Sequence, residues 1–526
     1  MKSNLILLLS LNIVLNICPP MQGAKILSVF GYPGPSQYFF ITPLLKSLAE
    51  RGHEVVSVSV YPQKEPVKNF RDIAVMTNAH IFDEMMVSFA EGEPKSLKDA
   101  FLILARAGQK MVSNVFDNPE VQQMMANEGF DLIIMDILTS EALVGLGEHF
   151  HAPMVAVSTF GSAGFMDEMV GNPSPLSYIP HMHLPFGNHM ALWKRMINVV
   201  MEVVDKISFH WLMLPHQEEV YRKYFPNAKM SLNEARQNVS LVLLNDHFSL
   251  RAPRPYVPNM IEVGGMHIKR QADPLPQDLQ QILDESPEGV IYFSFGSNVK
   301  SEDLDKHVLN AFLEAFRELK FKVLWKFEND ELPNKPENVI IRKWFPQPSV
   351  LAHPNVKLFI SHGGFLSTTE TIYHGKPILG IPFFGDQFMN VKNAVKAGYA
   401  LSFKVADITK DSLKSAIMEI WTNPRYAQTV QQKSKYFRDT PLSPLETAVY
   451  WMEYVIRHKG CAHMRNAGQD LNFIQYHNID VFVILAAAVV LLVTLLVAIL
   501  RKLKQLVFGN SKRKGNSKHS KKSKLN

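Results

Sequence analysis

Cysteine is almost absent. The 526 residues hold two, Cys18 and Cys461. Cys18 falls in a stretch that reads as a removed signal, which leaves one thiol and no intrachain disulfide, so the core alone must hold the fold in an oxidising compartment. Acidic residues are missing from the C-terminal end. Beyond Ile499 stand ten basic residues, Arg501, Lys502, Lys504, Lys512, Arg513, Lys514, Lys518, Lys521, Lys522 and Lys524, with no Asp or Glu among them. The whole chain carries a net charge of +6. The ten charges of the tail exceed that total, so the body is mildly acidic, and nothing points to a nucleic-acid partner. Ligand spacing for a metal is also lacking: His149, His151, His181 and His183 show none. What is present suits two α/β domains with added membrane segments, at 47% hydrophobic and 20% charged residues.

In chain order, residues 1–24 read as a secretory signal: Lys2 starts it, an apolar run follows, Pro19-Pro20 ends the run, and Gly23 or Ala24 supplies the small residue near cleavage. Residues 25–268 form a first domain. A strand over 25–30, a Gly/Pro loop over 31–37, a helix over 38–51 and a strand over 54–60 make a βαβ opening. A further strand over 130–135, with Asp136 at its exit, a helix over 139–150 and a strand over 153–157 argue a doubly wound parallel sheet. Residues 62–129 and 160–235 read as irregular, Met-rich inserts that shape a specific pocket. The amphipathic stretch 192–214 is expected to face the core, with a membrane surface as the other reading. Asn238-Val239-Ser240 is the only acceptor sequon, and the strand that follows at once argues against its use. Residues 269–288, with Pro274, Pro276 and Pro287, read as a linker to a second domain over 289–460. Residues 481–500 are twenty apolar residues without a charge, roughly 30 Å of helix and one bilayer core. The basic tail 501–526 behind them places that end in the cytosol and the body in the lumen.

The densest chemistry lies between Trp344 and Gln387. An apolar strand through Leu358 and Ile360 stops at His362-Gly363-Gly364, where glycines permit close backbone approach. Ser367 and Glu370 stand three residues apart, as in a capping box at a helix start. Strand, glycine turn and helix N-terminus together make an anion site, with His362 as an additional donor. Asp386-Gln387 leaves at the carboxyl end of the following strand, where open α/β sheets bind ligands.

This stretch resembles the donor signature of the UDP-glycosyltransferase family, closest to its insect members, at Trp344, Gln347, His362, Gly364, Ser367, Glu370, Pro377, Pro382, Asp386 and Gln387. The fold the resemblance implies is GT-B: two doubly wound Rossmann-like domains facing a cleft, plus one C-terminal transmembrane helix. Its implied function is transfer of a sugar, glucose by the insect likeness, from a UDP-sugar to a small lipophilic acceptor, with inversion. Trp344 would stack on uracil. Gln347 would help hold base and ribose, and Glu370 the ribose hydroxyls. His362, Ser367, the helix N-terminus after Gly364 and the Ser297 turn would meet the diphosphate, and Asp386 with Gln387 the sugar hydroxyls. Where many members carry Asn before the serine, this chain has Leu366.

The family's catalytic pair is a histidine in the first loop and an aspartate that orients it. Asp136 matches the aspartate, but the histidine position holds Gln37, which cannot take a proton. No cofactor or metal is expected; Asp303-Leu304-Asp305 reads as helix-start acids rather than a metal motif. Lys522 and Lys524 resemble a retrieval signal for the endoplasmic reticulum membrane. A homo- or heterodimer is left open. Two functions compete: a glycosyltransferase restricted by Gln37, or an impaired member that binds UDP-sugars, lipophiles or a partner in the lumen.

Overall fold

The computed structural model describes residues 23–90, 96–184, 186–297 and 299–515. Residues 1–22 of the stretch read as a signal, Cys18 among them, and the tail lysines Lys522 and Lys524 lie outside them. Residues 23–466 belong to one compact unit holding two parallel sheets.

The first sheet comprises β1 (Lys25–Phe30), β2 (Glu54–Ser59), β3 (Phe70–Ala74), β4 (Leu132–Asp136), β5 (Met154–Ser158), β6 (Leu241–Leu244) and β7 (Met260–Glu262), in spatial order β3-β2-β1-β4-β5-β6-β7. The second comprises β8 (Val290–Ser294), β9 (Lys322–Lys326), β10 (Val339–Arg342), β11 (Val356–Ser361), β12 (Ile378–Gly380) and β13 (Ala400–Ser402), in order β10-β9-β8-β11-β12-β13. Every pairing in both is parallel. Strands β4, β5, β6 and β8 are buried at every residue, because helices cover both faces. The expected doubly wound α/β architecture is therefore present twice.

Six helices bear on function: α1 (Pro35–Glu50), α2 (Leu192–Ser208), α3 (Gln277–Asp284), α4 (Phe365–His374), α5 (Gln387–Ala397) and α6 (Pro444–His458). Helix α6 returns to the first domain, as the family likeness implies. Its Ala448, Val449, Met452 and Val455 share a core with Phe40, Ile41, Leu44 and Leu45 of α1. Each fully buried Val or Met there is worth about 1.5–3 kcal/mol. Arg51 Nη2 donates to Glu453 Oε2 at 3.1 Å on the rim of this joint. Behind it the buried His53 accepts from Ala24 N through Nδ1, a structural role.

Several expectations need correcting. Residues 62–129 are not irregular: they hold β3 and helices Thr77–Ala90, Leu97–Asp117 and Pro119–Asn127. Much of 160–235 is also helical. Within the stretch read as linker, α3 is helical and buries Leu279 and Leu283 against Val290, Tyr292 and Phe345 of the second domain. The largest departure is α2, which does not face the core with its apolar side. Its buried residues are Asn198, Glu202 and Ser208, while Met196 and Val200 are 62% and 60% exposed. Asn198 explains the inversion. Its Oδ1 accepts from His181 N at 2.6 Å, and its Nδ2 donates to Leu176 O and Ile179 O at 2.9 and 2.8 Å, so a polar side chain ties down a loop that offers backbone groups rather than apolar surface.

The remaining unit begins at Ala467. Its helix Ile479–Gly515 includes the apolar stretch Ile479–Phe508, whose most apolar 18 residues have a mean hydropathy of 3.3 and are not buried. It is long and apolar enough to cross a membrane.

Candidate active site

The carboxyl ends of both sheets converge on a cavity of about 290 Å³. Ser36 and Phe39 reach it from the first turns of α1. Ser297 follows β8, Lys326 ends β9, Trp344 and Gln347 follow β10, and Ser367 and Glu370 lie on α4. Gln347 knits the far wall. Its Nε2 donates to Ser367 Oγ at 3.0 Å and to Glu370 Oε2 at 2.7 Å, while its Oε1 accepts from Tyr292 Oη at 3.2 Å. Trp344 is 58% exposed. Its ring lies 5.9 Å from that of Phe39, so one aromatic comes from each half of the unit.

The capping box expected at Ser367 and Glu370 does not form. The cap of α4 is Gly364, with no side-chain hydrogen bond, and Ser367 is already the third helical residue. The first N–H groups of α4 are thus left without a side-chain partner, which suits an anion. His362 stands against this end. Gly296 and Gly364 leave room for its ring: a Cβ on either would come within 2.6 or 2.4 Å of it. Burial, with help from the charge of Lys326, pushes the imidazole down to about 4. His362 is therefore neutral near pH 7 and acts as a hydrogen-bonding group rather than a cation. The positive charge in the cavity comes from Lys326, whose Nζ donates to Glu328 Oε1 at 2.6 Å.

Asp386 and Gln387 stand apart from that cavity. Gln387 Oε1 accepts from the backbone N–H groups of Phe383 and Phe384 at 2.8 and 3.1 Å, and Asp386 Oδ2 accepts from Asn390 Nδ2 at 2.8 Å. Burial raises the Asp386 carboxyl, and the nearby Arg251 and His183 oppose that. Arg251 also lines a second cavity with Met389 and Asn393 of α5.

Asp136 and Gln37 are not joined. Gln37 Oε1 accepts from Ser36 Oγ at 2.9 Å. Asp136 Oδ1 accepts from Leu138 N at 2.7 Å, and its buried Oδ2 has no partner among the described residues. Burial pushes this carboxyl up to about 7. Asp305 accepts from His307 N at 2.8 Å and caps the helix Lys306–Arg317, a local structural role. Sequence reasoning missed Lys326 and His267 as cavity residues. Lys326 carried one signal, a charge closing the apolar run 323–325; His267 carried none.

Two Rossmann-like halves with a ligand-sized cavity at their strand ends define the GT-B architecture. The calicheamicin glycosyltransferase CalG4 has this fold, with a TM-score of 0.55 at 15% identity over 83% of this chain and 99% of that one. The family model described as UDP-glucoronosyl and UDP-glucosyl transferase matches residues 29–514. UDP-glucosyltransferase 2 of Dactylopius coccus is 38% identical over 88% of this chain and 90% of its own length. The 2-hydroxyacylsphingosine 1-beta-galactosyltransferase of Homo sapiens is 30% identical over 95% and 96%. The chain belongs to the UDP-glycosyltransferase family, enzymes that move a sugar from a UDP-sugar to an acceptor.

Proposed function

We propose that this protein transfers glucose from UDP-glucose to a small lipophilic acceptor with inversion. The observation that carries the reading is the single cavity that gathers Trp344, Gln347, Ser367 and Glu370 with Ser36 and Phe39 of the other domain. Uracil stacks on Trp344, the ribose diol meets Glu370, and the diphosphate meets the free end of α4, His362 and Ser297. The acceptor heteroatom attacks the anomeric carbon as its bond to the UDP oxygen breaks. The leaving charge is met by Lys326 and the N–H groups of α4. Asp386 and Gln387 hold the sugar hydroxyls. Neither metal nor cofactor enters the reading.

The acceptor proton is the weak point of the cycle. Gln37 cannot accept it, and Asp136, without a histidine to orient, keeps an unpartnered oxygen. That observation favours a second reading, a lumenal binding protein with little turnover. Transfer from labelled UDP-glucose, UDP-galactose and UDP-glucuronate to a panel of phenols and amines, with microsomes carrying the full chain, separates the two. Product from UDP-glucose supports the first reading. Nucleotide binding without product supports the second. Trp344→Ala is expected to weaken UDP binding by about 1–3 kcal/mol in titration calorimetry; unchanged affinity removes the donor assignment.

We further propose that the apolar C-terminal helix anchors the protein in the endoplasmic reticulum membrane, with the body lumenal and the tail cytosolic.

A further inference from the structure

His267 belongs to neither the donor signature nor the catalytic pair. It follows β7, beyond the Gly264-Gly265 turn. A Cβ on Gly264 would come 2.6 Å from the backbone oxygen of Asp246, so only glycine lets the chain turn that closely. Met266, 1% exposed, pins the turn into the core shared with α6. The ring of His267 is then delivered into the donor cavity, with its side chain 5% exposed. Its Nε2 lies 3.2 Å from Glu370 Oε1. Neither ring nitrogen has an aligned hydrogen-bond partner among the described residues. The other carboxylate oxygen of Glu370 already accepts from Gln347.

A buried ring whose nitrogens lack an aligned partner is costly, because each has given up its water without a full hydrogen bond in return. A ligand that supplies the missing partner recovers that cost. On the UDP-sugar reading, the polar group brought to this spot is a hydroxyl of the ribose that Glu370 holds. We infer that His267 is a nucleotide-binding residue contributed by the first domain, and that with Glu370 it makes the site select a ribose over a deoxyribose. This rests on the UDP-sugar reading above. The ring donates to, or accepts from, one hydroxyl of the ribose diol while Glu370 accepts from the diol. A nucleotide lacking that hydroxyl leaves the buried ring unmet again, and sites built this way reject the analogue strongly.

The test is titration calorimetry of the full-length protein in detergent with UDP, 2′-deoxy-UDP and 3′-deoxy-UDP. The native protein is expected to bind UDP at least about tenfold more tightly than one of the two analogues. His267→Ala should weaken UDP binding by about tenfold, leave that analogue nearly unchanged, and so erase the discrimination. His267→Gln, which keeps a donor and an acceptor, should restore part of it. An equal fall for all three nucleotides in His267→Ala would mean a merely structural role and overturns the inference, as does unchanged UDP affinity. If the native protein binds UDP without regard to the ribose, this inference alone fails. If it binds no uridine nucleotide, the donor reading fails with it. Thermal unfolding midpoints of each variant show whether the fold persists.

Discussion

At the scale of single residues, Asp136 and Gln37 carry the two sharpest tests of the proposed function. The Asp136 carboxyl titrates near 7 in the fold against an ordinary value of 3.8. The sign follows from linkage. Below pH 4 both states hold the proton. As pH rises towards 7 the unfolded chain has released it while the folded chain must still do so, and stability falls. Asp136→Asn removes that dependence. The variant should gain stability relative to the native protein as pH goes from 4 to 8, by up to about 4 kcal/mol. Denaturant midpoints of both proteins at the two pH values measure it, and a constant gap would show that Asp136 is not desolvated. On the proposed reading, Gln37 limits the rate. A positioned base is worth about 10²–10⁴. Gln37→His is therefore expected to raise transfer to an aliphatic alcohol tenfold or more, and to change transfer to an amine, which attacks as the neutral species, very little. Full activity of the native protein on alcohols, with no gain in Gln37→His, would place the base elsewhere.

At the scale of elements, helix α2 separates what a sequence carries from what it does not. The 3.6-residue period of 192–208 was legible, and so was the helix. Which side faces inward was not, because the period is the same either way. The answer depended on Asn198 meeting three backbone groups from a loop some twenty residues away in sequence. The strands were legible for the opposite reason: runs such as Leu132–Asp136 are buried on both faces, so composition alone marks them. The same contrast divides the site. Glu370 and Gln347 were legible through the family resemblance of one stretch of about 25 residues, whereas His267 reaches the cavity only through a fold made by residues 30–460. The inverted helix gives a direct test. Val200→Gln, Val203→Gln and Ile207→Gln together should shift stability by no more than about 0.5 kcal/mol each, because these side chains are exposed. Asn198→Leu, similar in size, should cost several times more by stranding buried backbone groups. The reverse ranking in thermal unfolding would restore the core-facing reading.

At the scale of the whole molecule, the charge distribution and the apolar helix make one prediction. Protease added to sealed microsomes should trim only the tail beyond Leu500, and the body should remain intact until detergent is added. The reason is the cluster of lysines and arginines behind the span, a feature expected on the cytosolic side. Digestion of the body in intact vesicles would reverse the orientation.

The return of α6 has a mechanical meaning. The chain leaves the first domain after Ile268 and comes back before Pro444, and both crossings line one surface hollow with Gly265, Arg270, Asp439 and Ser443. Two covalent passes side by side act as the paired pins of a hinge. They would resist twisting and sliding of one half over the other more than opening and closing of the cleft mouth. Trp344 and Phe39, one on each leaf and both half-exposed, are the pair whose separation would report that swing.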